Sequence, residues 1–431
     1  MPNMRLSPKV IKLILFIFCF SLIGWRIIFV PLYNSEGGRN FIRGDHFSEI
    51  NTHSALQYFY DHGFNVSKWL PVHNYESGKA DTQYDIYTHY PALPDILAGF
   101  YAKILDTTNP QWLRIFPMLI SVGWFFLIFH MLSRMLPDKK AAFLSAAIIV
   151  LSNYFLAWAD NLHKHMYEEV LKWLFVYGLY LYYQRNRPVW LLGVLCLVYI
   201  AAANVSMEPI LFLAVVVVGF SIIYSRNIFT RETIVLGLAA VAGFGLHFYQ
   251  NILLFGSFQA ALKDMTDAVA LRTVGQAADT HNELKRTLNW QDYAIIPLKW
   301  LNRIERYFLI PGFALLLLSY LGLRKLKVED KQMFRIVLVL LLAGLSWSVA
   351  MSQHFLVHVF TTRNIGLFYG FIVGYGLVAY WPLLQKAWQE KNRLHQGFHV
   401  LFIGYVAFMA LSQQVWDLYI KYGFGYTWLV K

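Results

Sequence analysis

The segment VIKLILFIFCFSLIGWRIIFVPLY, residues 10–33, indicates what class of protein this is. Its apolar run is long enough to cross a lipid bilayer as one helix, since a span needs about 20 predominantly apolar residues. The apolar core of a cleavable signal peptide is shorter, roughly 7–15 residues, and is followed by small residues at the cleavage site. This run is longer and ends in VPLY, so we interpret it as a retained signal anchor.

The rest of the chain has the same character. Of its 431 residues, 57% are hydrophobic and only 14% are charged, and the mean hydropathy is +0.43. Soluble globular proteins carry about 25% charged residues. The net charge of +12 comes from short basic clusters between apolar runs, so we expect no nucleic-acid partner. Cys19 and Cys196 both fall in apolar runs, which predicts no disulfide framework.

The apolar runs predict an all-α bundle of about eleven spanning helices. We place the spans at residues 10–32, 112–136, 141–159, 166–183, 189–207, 209–224, 233–255, 307–324, 336–354, 364–381 and 398–416. Short loops rich in Lys and Arg stay in the cytoplasm, and this rule places the amino terminus inside and the carboxyl terminus outside. The basic residues assigned to the inside are Arg5, Lys9, Lys12, Arg134, Lys139, Lys140, Arg185, Arg187, Arg226, Arg231, Arg324, Lys325, Lys327, Lys331, Arg335, Lys386, Lys391 and Arg393. The short loops of opposite parity hold few, mainly Lys164 and Arg363.

We expect a single transmembrane domain, residues 1–431, with two large, partly helical outer loops at 34–111 and 256–306. Loops of this length are uncommon in compact proteins and are usually functional. The first contains SEINTHSALQYFYDHGF (48–64) and PDILAGFYAKILD (94–106), whose apolar residues recur near helical spacing. Both predict amphipathic helices too short to span, lying at the membrane surface.

The segment GDHFSEI, residues 44–50, carries the acids most suited to chemistry. Asp45 and Glu49 are four residues apart and share one face if the segment is helical. Asp45 could act as a general base that removes a proton from a hydroxyl at the water–lipid boundary. The structural alternative is a helix start, where Asp45 caps the helix and an acid in the first turn favours the dipole. His46 and Glu49 are candidates to bind an acceptor or a metal.

Basic and histidine side chains in the outer regions could bind an anion. In IPLKWLNRIERYF (296–308), the residues Lys299, Arg303 and Arg306 line one helix face. The alternative is that these side chains extend along the helix to reach lipid headgroups. Within YDIYTHYPALPDIL (84–97), His89 stands beside a proline-bracketed turn.

Three residues of the segment QHFLVHVFTTRN (353–364) are further candidates. Arg363 is the only Lys or Arg of its short outer loop, and a guanidinium suits bidentate phosphate binding. Headgroup contact is the alternative. His354 and His358 are four residues apart, a spacing that can bind zinc on a helix. Hydrogen bonding at the membrane interface is the structural explanation for the same pair.

Two of these motifs, in this order after the first span, resemble those of GT-C glycosyltransferases. This membrane class includes protein O-mannosyltransferases and the aminoarabinose transferases of lipid A. Its members place an Asp, often Asp-Glu, shortly after the first span, then A…G-F, then a His-Pro-Pro-Leu or Lys-Pro-Pro type motif. The matching positions here are Asp45-His46, Ala55, Gly63-Phe64 and YTHYPAL at 87–93.

The chain departs from the class at four positions. His46 replaces the second acid, while Tyr90 and Ala92 interrupt the Pro-Pro-Leu run. Asp95 stands where mannosyltransferases tend to have a basic residue. The acceptor and the sugar do not follow from the resemblance.

The resemblance implies an inverting transfer from a polyprenyl-phosphate sugar to a hydroxyl of a glycan, lipid A or protein. Asp45 would be the catalytic base. The site would face the outside of the membrane, in contact with membrane lipids: the periplasm in a bacterium, or the lumen of the endoplasmic reticulum in a eukaryote. The compact loops and modest length of the chain favour a bacterial inner membrane. Some members use a divalent metal and others do not, which leaves a metal cofactor open. Candidates to bind the donor phosphate are Arg363, Arg303, Arg306, Lys299 and His89, and candidates for the acceptor or a metal are Glu49, His46, His354 and His358.

Three other functions fit parts of the pattern. A polysaccharide polymerase or ligase shares the topology and the lipid-linked donor, but its large loops tend to come later in the chain. A transporter or flippase often shows inverted repeats, and no internal repeat is visible here. A catalytically inactive scaffold would also tolerate the motif departures.

Overall fold

The computed structural model describes residues 7–30, 46–78, 84–273 and 288–416. Within these ranges the chain is mostly helical, and the strands there are one short antiparallel pair, β1 (Val72–His73) with β2 (Asp85–Ile86). The predicted all-α class is confirmed. The helices are α1 (Pro8–Phe29), α2 (His46–His62), α3 (Leu93–Leu105), α4 (Pro110–Leu113), α5 (Ile115–Met135), α6 (Lys139–Leu151), α7 (Asn153–Leu156), α8 (Lys164–Gln184), α9 (Val189–Val205), α10 (Glu208–Ser225), α11 (Arg231–Phe255), α12 (Phe258–Thr273), α13 (Trp290–Tyr307), α14 (Gly312–Glu329), α15 (Lys331–Ala350), α16 (Ser352–Val357), α17 (Gly366–Gln389) and α18 (Arg393–Trp416), with a 3₁₀ turn at Val359–Ile365.

Helices long and apolar enough to cross a bilayer make this chain a multi-pass integral membrane protein. Seven stretches of the described chain qualify: Pro8–Phe29, Pro110–Met135, Glu208–Ser225, Arg231–Phe255, Lys331–Ala350, Val359–Gln389 and Arg393–Ser412. Helices α6, α8, α9 and α14 overlap the other predicted spans but are shorter or carry more charged residues. Each predicted span therefore has a helix, while the number of crossings stays a prediction.

The eighth predicted span, residues 307–324, starts about five residues too early. Helix α13 ends at Tyr307, and the backbone is extended at Phe308 (φ −126°, ψ 143°) and at Pro311 (φ −66°, ψ 158°). Helix α14 then begins at Gly312. The apolar run is continuous in sequence across this break, so hydropathy alone could not place it.

Helix starts beside the basic loops are fixed by side-chain caps. Asp138 accepts hydrogen bonds from the first-turn amides of α6 at 2.9 and 3.1 Å, and Asp330 does the same for α15 at 3.0 and 2.9 Å. Thr230 caps α11. Such caps satisfy amide groups that have no partner inside the helix. The turns between spans are therefore well defined on this side of the bundle.

Helix α17 occupies the centre of the bundle, between α6 and α14. Small residues allow the backbones to approach closely, as is common between helices in membranes. At Gly374 an added Cβ would lie 2.1 Å from the carbonyl oxygen of Ala141. This close approach fixes α17, and hence the 3₁₀ turn that precedes it, relative to the rest of the bundle.

The first large outer loop is partly helical, as predicted. Helices α2 and α3 pack together through buried apolar side chains, among them Phe59 and Phe64. A neighbouring apolar cluster joins Leu56 and Ala98 of these helices to Leu162, which precedes α8. The loop is thereby attached to the outer end of the bundle.

Candidate functional site

The segment at residues 84–91 lies where both large outer loops meet the bundle. Within this segment, Tyr90 is the residue around which the candidate site is arranged. The Lys164 ammonium is 4.2 Å from the Tyr90 ring centroid, and the Arg272 guanidinium carbon is 4.9 Å from it. The Tyr90 hydroxyl is 3.1 Å from His354 Nε2. We call Tyr87, Tyr90, Lys164, Arg272 and His354 the Tyr90 site.

Arg272 is a buried cation without a carboxylate partner among the described residues. It is 8% exposed, its Nη1 donates to Ala268 O at 2.8 Å, and its Nη2 lies 3.4 Å from the Tyr87 hydroxyl. Burial raises the pKa of Tyr87, so this phenol stays neutral and does not balance the charge. An uncompensated buried ion costs several kcal/mol, by a rough estimate. The arrangement therefore suits an anionic ligand.

Lys164 connects the Tyr90 site to a second group of charges, which we call the charge network. Its members, all 0–2% exposed, are Lys164, Glu168, Glu169, Lys172, Glu208 and Arg363. Three cations face three carboxylates, so the network is neutral overall. Lys164 lies 3.5 Å from Glu168 and 3.4 Å from Glu208. Such pairing is what makes buried charge tolerable.

Arg363 lies inside this network, in the 3₁₀ turn. Its Nη2 donates to Glu168, and its Nε is 3.6 Å from Glu169. Nη2 is also 4.0 Å from Glu208. Neighbouring Asn364 bridges Lys172 (2.6 Å) and Glu208 (3.2 Å). The charge of Arg363 is thus balanced by protein carboxylates, and a phosphate role for it stays a prediction.

The basic face of α13 points to the end of α16. Arg303 donates to the carbonyl oxygens of Phe355 and, at 2.8 Å, Leu356, while Lys299 is 3.4 Å from Leu356 O. Cations at the carboxyl end of a helix are favourable for its exposed carbonyl groups. Lys299 and Arg303 therefore hold the segment that carries His354. The side chain of Arg306 lies outside the described residues.

A smaller polar group lies beside the Tyr90 site. His89 Nε2 is 3.1 Å from Asp264 Oδ1, and Asn251 Nδ2 donates to Thr88 O at 3.0 Å. In the part of the chain that the structure describes, Asp264 Oδ2 and Asn251 Oδ1 are buried and have no hydrogen-bond partner. Buried polar atoms normally have one, so these two oxygens retain capacity to accept hydrogen bonds.

Helix α2 fixes the residues that precede α8. Glu49 Oε1 accepts a hydrogen bond from Leu162 N at 3.0 Å, and Thr52 is 2.8 Å from His163 Nδ1. The next acid, Asp160, is held by Arg26 and Arg114. Glu49 thus connects α2 to the segment that precedes α8.

The predicted base, Asp45, lies outside the described residues. The same holds for the side chain of His46, at which α2 begins. The structure therefore does not test either candidate, and the pairing of Asp45 with Glu49 on one helix face stays a prediction.

The zinc spacing of His354 and His358 does not give a metal pair. Helix α16 ends at Val357, so His358 is not on the helix. The His354 Nδ1 accepts from Trp347 Nε1 at 3.0 Å, and its Nε2 faces the Tyr90 hydroxyl at 3.1 Å. A neutral ring with Nδ1 accepting carries its proton on Nε2, which leaves no lone pair for a metal. Across the described ranges, no group of three or more His, Cys, Asp or Glu side chains is arranged to hold a metal ion.

The sequence pattern did not predict Arg272 or the role of Tyr90. One signal was present: in FQAALKDMTDAVALRT (258–273) the small or apolar residues Ala261, Met265 and Ala268 share a helix face with Arg272. A basic residue at the end of an apolar face is unusual. That residue would have been a candidate if α12 had been recognised as a helix.

No protein-family model and no curated protein matches the chain significantly. Among solved structures, it is similar to the archaeal oligosaccharyltransferase AglB from Archaeoglobus fulgidus in complex with an inhibitory peptide and a dolichol-phosphate, with 14% identity, a TM-score of 0.47 and coverage of 96% of this chain and 56% of that chain. A structure of the Archaeoglobus fulgidus oligosaccharyltransferase tethered to an acceptor peptide gives 13% identity, a TM-score of 0.45 and coverage of 96% and 54%. The complex of that enzyme with Zn and sulfate gives 11% identity, a TM-score of 0.47 and coverage of 94% and 52%.

These solved proteins belong to the GT-C superfamily, the class that the sequence motifs resemble. The chain spans about half their length. With TM-scores below 0.5, the likeness carries no argument about the reaction, the donor, the acceptor or a metal. Those questions depend on the side chains of this chain.

Proposed function

We propose that this protein is a membrane glycosyltransferase. It moves a sugar from a polyprenyl-phosphate donor to a hydroxyl of a glycan, lipid or protein acceptor, with inversion at the anomeric carbon. The active site faces the periplasm from a bacterial inner membrane. The observation that carries the proposal is Arg272, a buried guanidinium without a described carboxylate partner, which lies with Lys164 around Tyr90 at the junction of both outer loops.

The donor phosphate supplies the negative charge that the Tyr90 site lacks. Arg272 binds phosphate oxygens with its planar fork, and Lys164 adds a point charge. As the bond between the sugar and the phosphate breaks, charge develops on the leaving oxygen. Cations already in place stabilise that charge without reorganisation.

The other basic candidates have different parts in this proposal. Lys299 and Arg303 position the His354 segment, and Arg363 balances the glutamates beside Lys164. His89 lies next to the site through its contact with Asp264. Arg306 remains a candidate phosphate ligand from the sequence pattern.

Sugar hydroxyls find acceptors next to the phosphate. The buried oxygens Asp264 Oδ2 and Asn251 Oδ1 have unused hydrogen-bonding capacity in the described structure. Hydroxyl groups donate to such oxygens, and sites built this way discriminate strongly against analogues that lack the hydroxyl. We assign Asp264 and Asn251 to sugar recognition.

Asp45 is the proposed general base. Its carboxylate takes the proton of the acceptor hydroxyl, and the oxygen attacks the anomeric carbon from the side opposite the phosphate. The carbon–oxygen bond to the phosphate breaks, and the lipid phosphate leaves with the bonding electron pair. Positioning of the two reactants supplies much of the rate in such a reaction.

A divalent metal remains a possible cofactor in this proposal. Glu49 Oε1 accepts a hydrogen bond from Leu162 N, and His354 is engaged at both nitrogens, so His354 does not fit a metal as placed. A metal would depend on Asp45 and His46. If they hold one, a chelator stops transfer and one divalent ion restores it, whereas full activity in chelator removes the metal from the proposal.

The deciding experiment is a transfer assay with purified protein, a panel of polyprenyl-phosphate sugars and a lipid extract from the source. We expect Asp45→Asn to lower the rate of transfer by roughly 10²–10⁴-fold, since that is the usual contribution of a general base. Donor binding and the folded yield should stay close to those of the unsubstituted protein.

An active Asp45→Asn variant would remove the proposed base. Binding of a lipid-linked sugar without any turnover, by folded protein, would favour a transporter or flippase. Products that are polymers, or transfer of a whole chain, would favour a polymerase or ligase.

A further inference from the structure

A groove between α10 and α15 lies on the predicted cytoplasmic half of the bundle, away from the Tyr90 site. Its volume is about 510 Å³, and its walls are apolar side chains of the two helices apart from one charged group, Arg335. The floor forms where α10 and α15 touch at Gly219 and Val339, since a Cβ on Gly219 would lie 2.4 Å from Val339 Cγ1. The two helices cannot close further.

The groove runs from the membrane interface towards the middle of the bilayer. Arg335 is one turn from the start of α15, and Leu342 lies seven residues further along. At 1.5 Å per residue, seven residues correspond to about 10 Å of depth. That depth lies within one leaflet of the hydrocarbon core, which is about 30 Å thick in total and so about 15 Å per leaflet.

Arginine side chains near the mouth of the groove could bind an anionic group. Arg335 is exposed and, within the described ranges, forms no ion pair or hydrogen bond. Arg226, which caps the end of α10 one turn after Ile222 and Ile223 of the groove wall, is likewise exposed and unpaired there. Arg335 therefore places one guanidinium group at the mouth of the apolar slot, and Arg226 ends the helix whose Ile222 and Ile223 line it.

We propose that this groove binds an anionic phospholipid of the cytoplasmic leaflet. One acyl chain lies between α10 and α15, and the lipid phosphate is bound by Arg335 and Arg226. Basic pockets between helices on the cytoplasmic side are typical binding sites of acidic headgroups. The sugar donor is not the occupant, because the proposed transfer site lies at the opposite ends of the same helices, beside Glu208 and His354.

The binding can be measured by native mass spectrometry of the purified chain with phosphatidylglycerol and, separately, phosphatidylcholine. We expect phosphatidylglycerol to bind more tightly. Arg335→Gln should weaken phosphatidylglycerol binding by about tenfold, which corresponds to about 1.4 kcal/mol, and Arg335→Lys should recover part of it. The matched control is Arg393→Gln, an exposed arginine at the start of α18 outside the groove, which should bind as the unsubstituted chain does.

A second variant tests the slot itself. Val218→Trp places a large side chain in the groove and should weaken binding of both lipids, since both use the acyl-chain slot. Thermal unfolding in detergent shows whether Val218→Trp is folded. If it is not, the result for Arg335→Gln decides whether the groove binds the lipid. Unchanged phosphatidylglycerol binding by Arg335→Gln, or an equal loss in Arg393→Gln, would overturn the proposal. None of these measurements depends on glycosyl transfer.

Discussion

The charge network and the Tyr90 site are neighbours, but their buried cations have different kinds of partner. In the network, Arg363 and Lys172 have carboxylates within reach, and the six charges cancel. At the Tyr90 site, Arg272 is almost as buried, and its contacts among the described residues are a carbonyl oxygen and two tyrosines. Lys164 belongs to both groups.

This difference distinguishes charged residues that stabilise the fold from charged residues that are available to bind a ligand. A buried ion whose partner is part of the protein stabilises one arrangement of helices and loses much if the partner is removed. A buried ion whose partner is missing makes folding less favourable by itself and is retained when a ligand supplies the charge. The two arginines should therefore respond differently to the same kind of substitution.

The largest effect is expected at Arg363. Arg363→Met leaves Glu168, Glu169 and Glu208 with two lysines, and breaking a buried pair costs about 3–5 kcal/mol. We expect a large loss of folded protein, measured by size exclusion and thermal unfolding in detergent. Arg363→Lys should recover part of the stability, because the charge is kept while the planar fork is lost.

The opposite result at Arg363 would contradict this comparison. If Arg363→Met folds normally and loses only affinity for the donor, then Arg363 is the phosphate ligand that its position in the sequence predicts. The charge network would then be a binding site and not a structural one.

Two members of the network, Lys164 and Arg363, stand out in the sequence as basic residues of the short outer loops, but the pairing of the network could not be predicted. The ion pairs join residues far apart in the chain: Arg363 and Glu168 are separated by 195 positions. Hydropathy and helical spacing describe neighbours in sequence, so they carry no information about such partners.

The fold was more predictable than the site, for a related reason. A bilayer-spanning helix is specified by a continuous apolar run, and the charge bias of the loops orders the runs in the membrane. The exceptions are places where an apolar run hides a break, such as the start of α14 after Pro311. Arg272 was missed because the second outer loop was expected to be partly helical without a helix being placed at residues 258–273, so the apolar face that positions Arg272 was not recognised.

A smaller effect is expected at Arg272. Arg272→Gln should weaken binding of a polyprenyl-phosphate sugar by roughly 10–100-fold, since hydrogen bonds to charged groups contribute about 1.5–3 kcal/mol. The melting temperature should stay the same or rise, because a buried charge without a carboxylate partner in the described structure is removed. Donor titration followed by fluorescence or calorimetry measures the first quantity, and thermal unfolding the second.

A variant of the same helix controls for charge alone. Lys263→Gln removes one positive charge from the exposed side of α12 and should leave donor affinity unchanged. Equal losses in both variants would mean that long-range attraction, and not a phosphate contact at Arg272, accounts for the affinity. A lower melting temperature in Arg272→Gln would place Arg272 with the structural charges.

The smallest effect is expected at Asp95, which shows a third way to bury a charge. Asp95 is 5% exposed, and among the described residues its side chain is hydrogen-bonded to Thr52 but paired with no cation. Arginine cannot lose its proton in a protein, but a carboxylate can gain one. Burial accordingly raises the pKa of Asp95 to about 7.

The consequence is a stability that falls as pH rises. The folded state binds the Asp95 proton more tightly than the unfolded state, whose pKa is near 3.8, so unfolding releases a proton between those values. The contribution is most favourable below pH 4 and is lost progressively towards pH 7. Asp95→Asn should flatten the pH dependence of the melting temperature in this window, whereas Asp267→Asn, an exposed acid on α12, should leave the slope unchanged. An unchanged slope in Asp95→Asn would mean that Asp95 is ionised throughout, and that a buried anion persists there much as the buried cation does at Arg272.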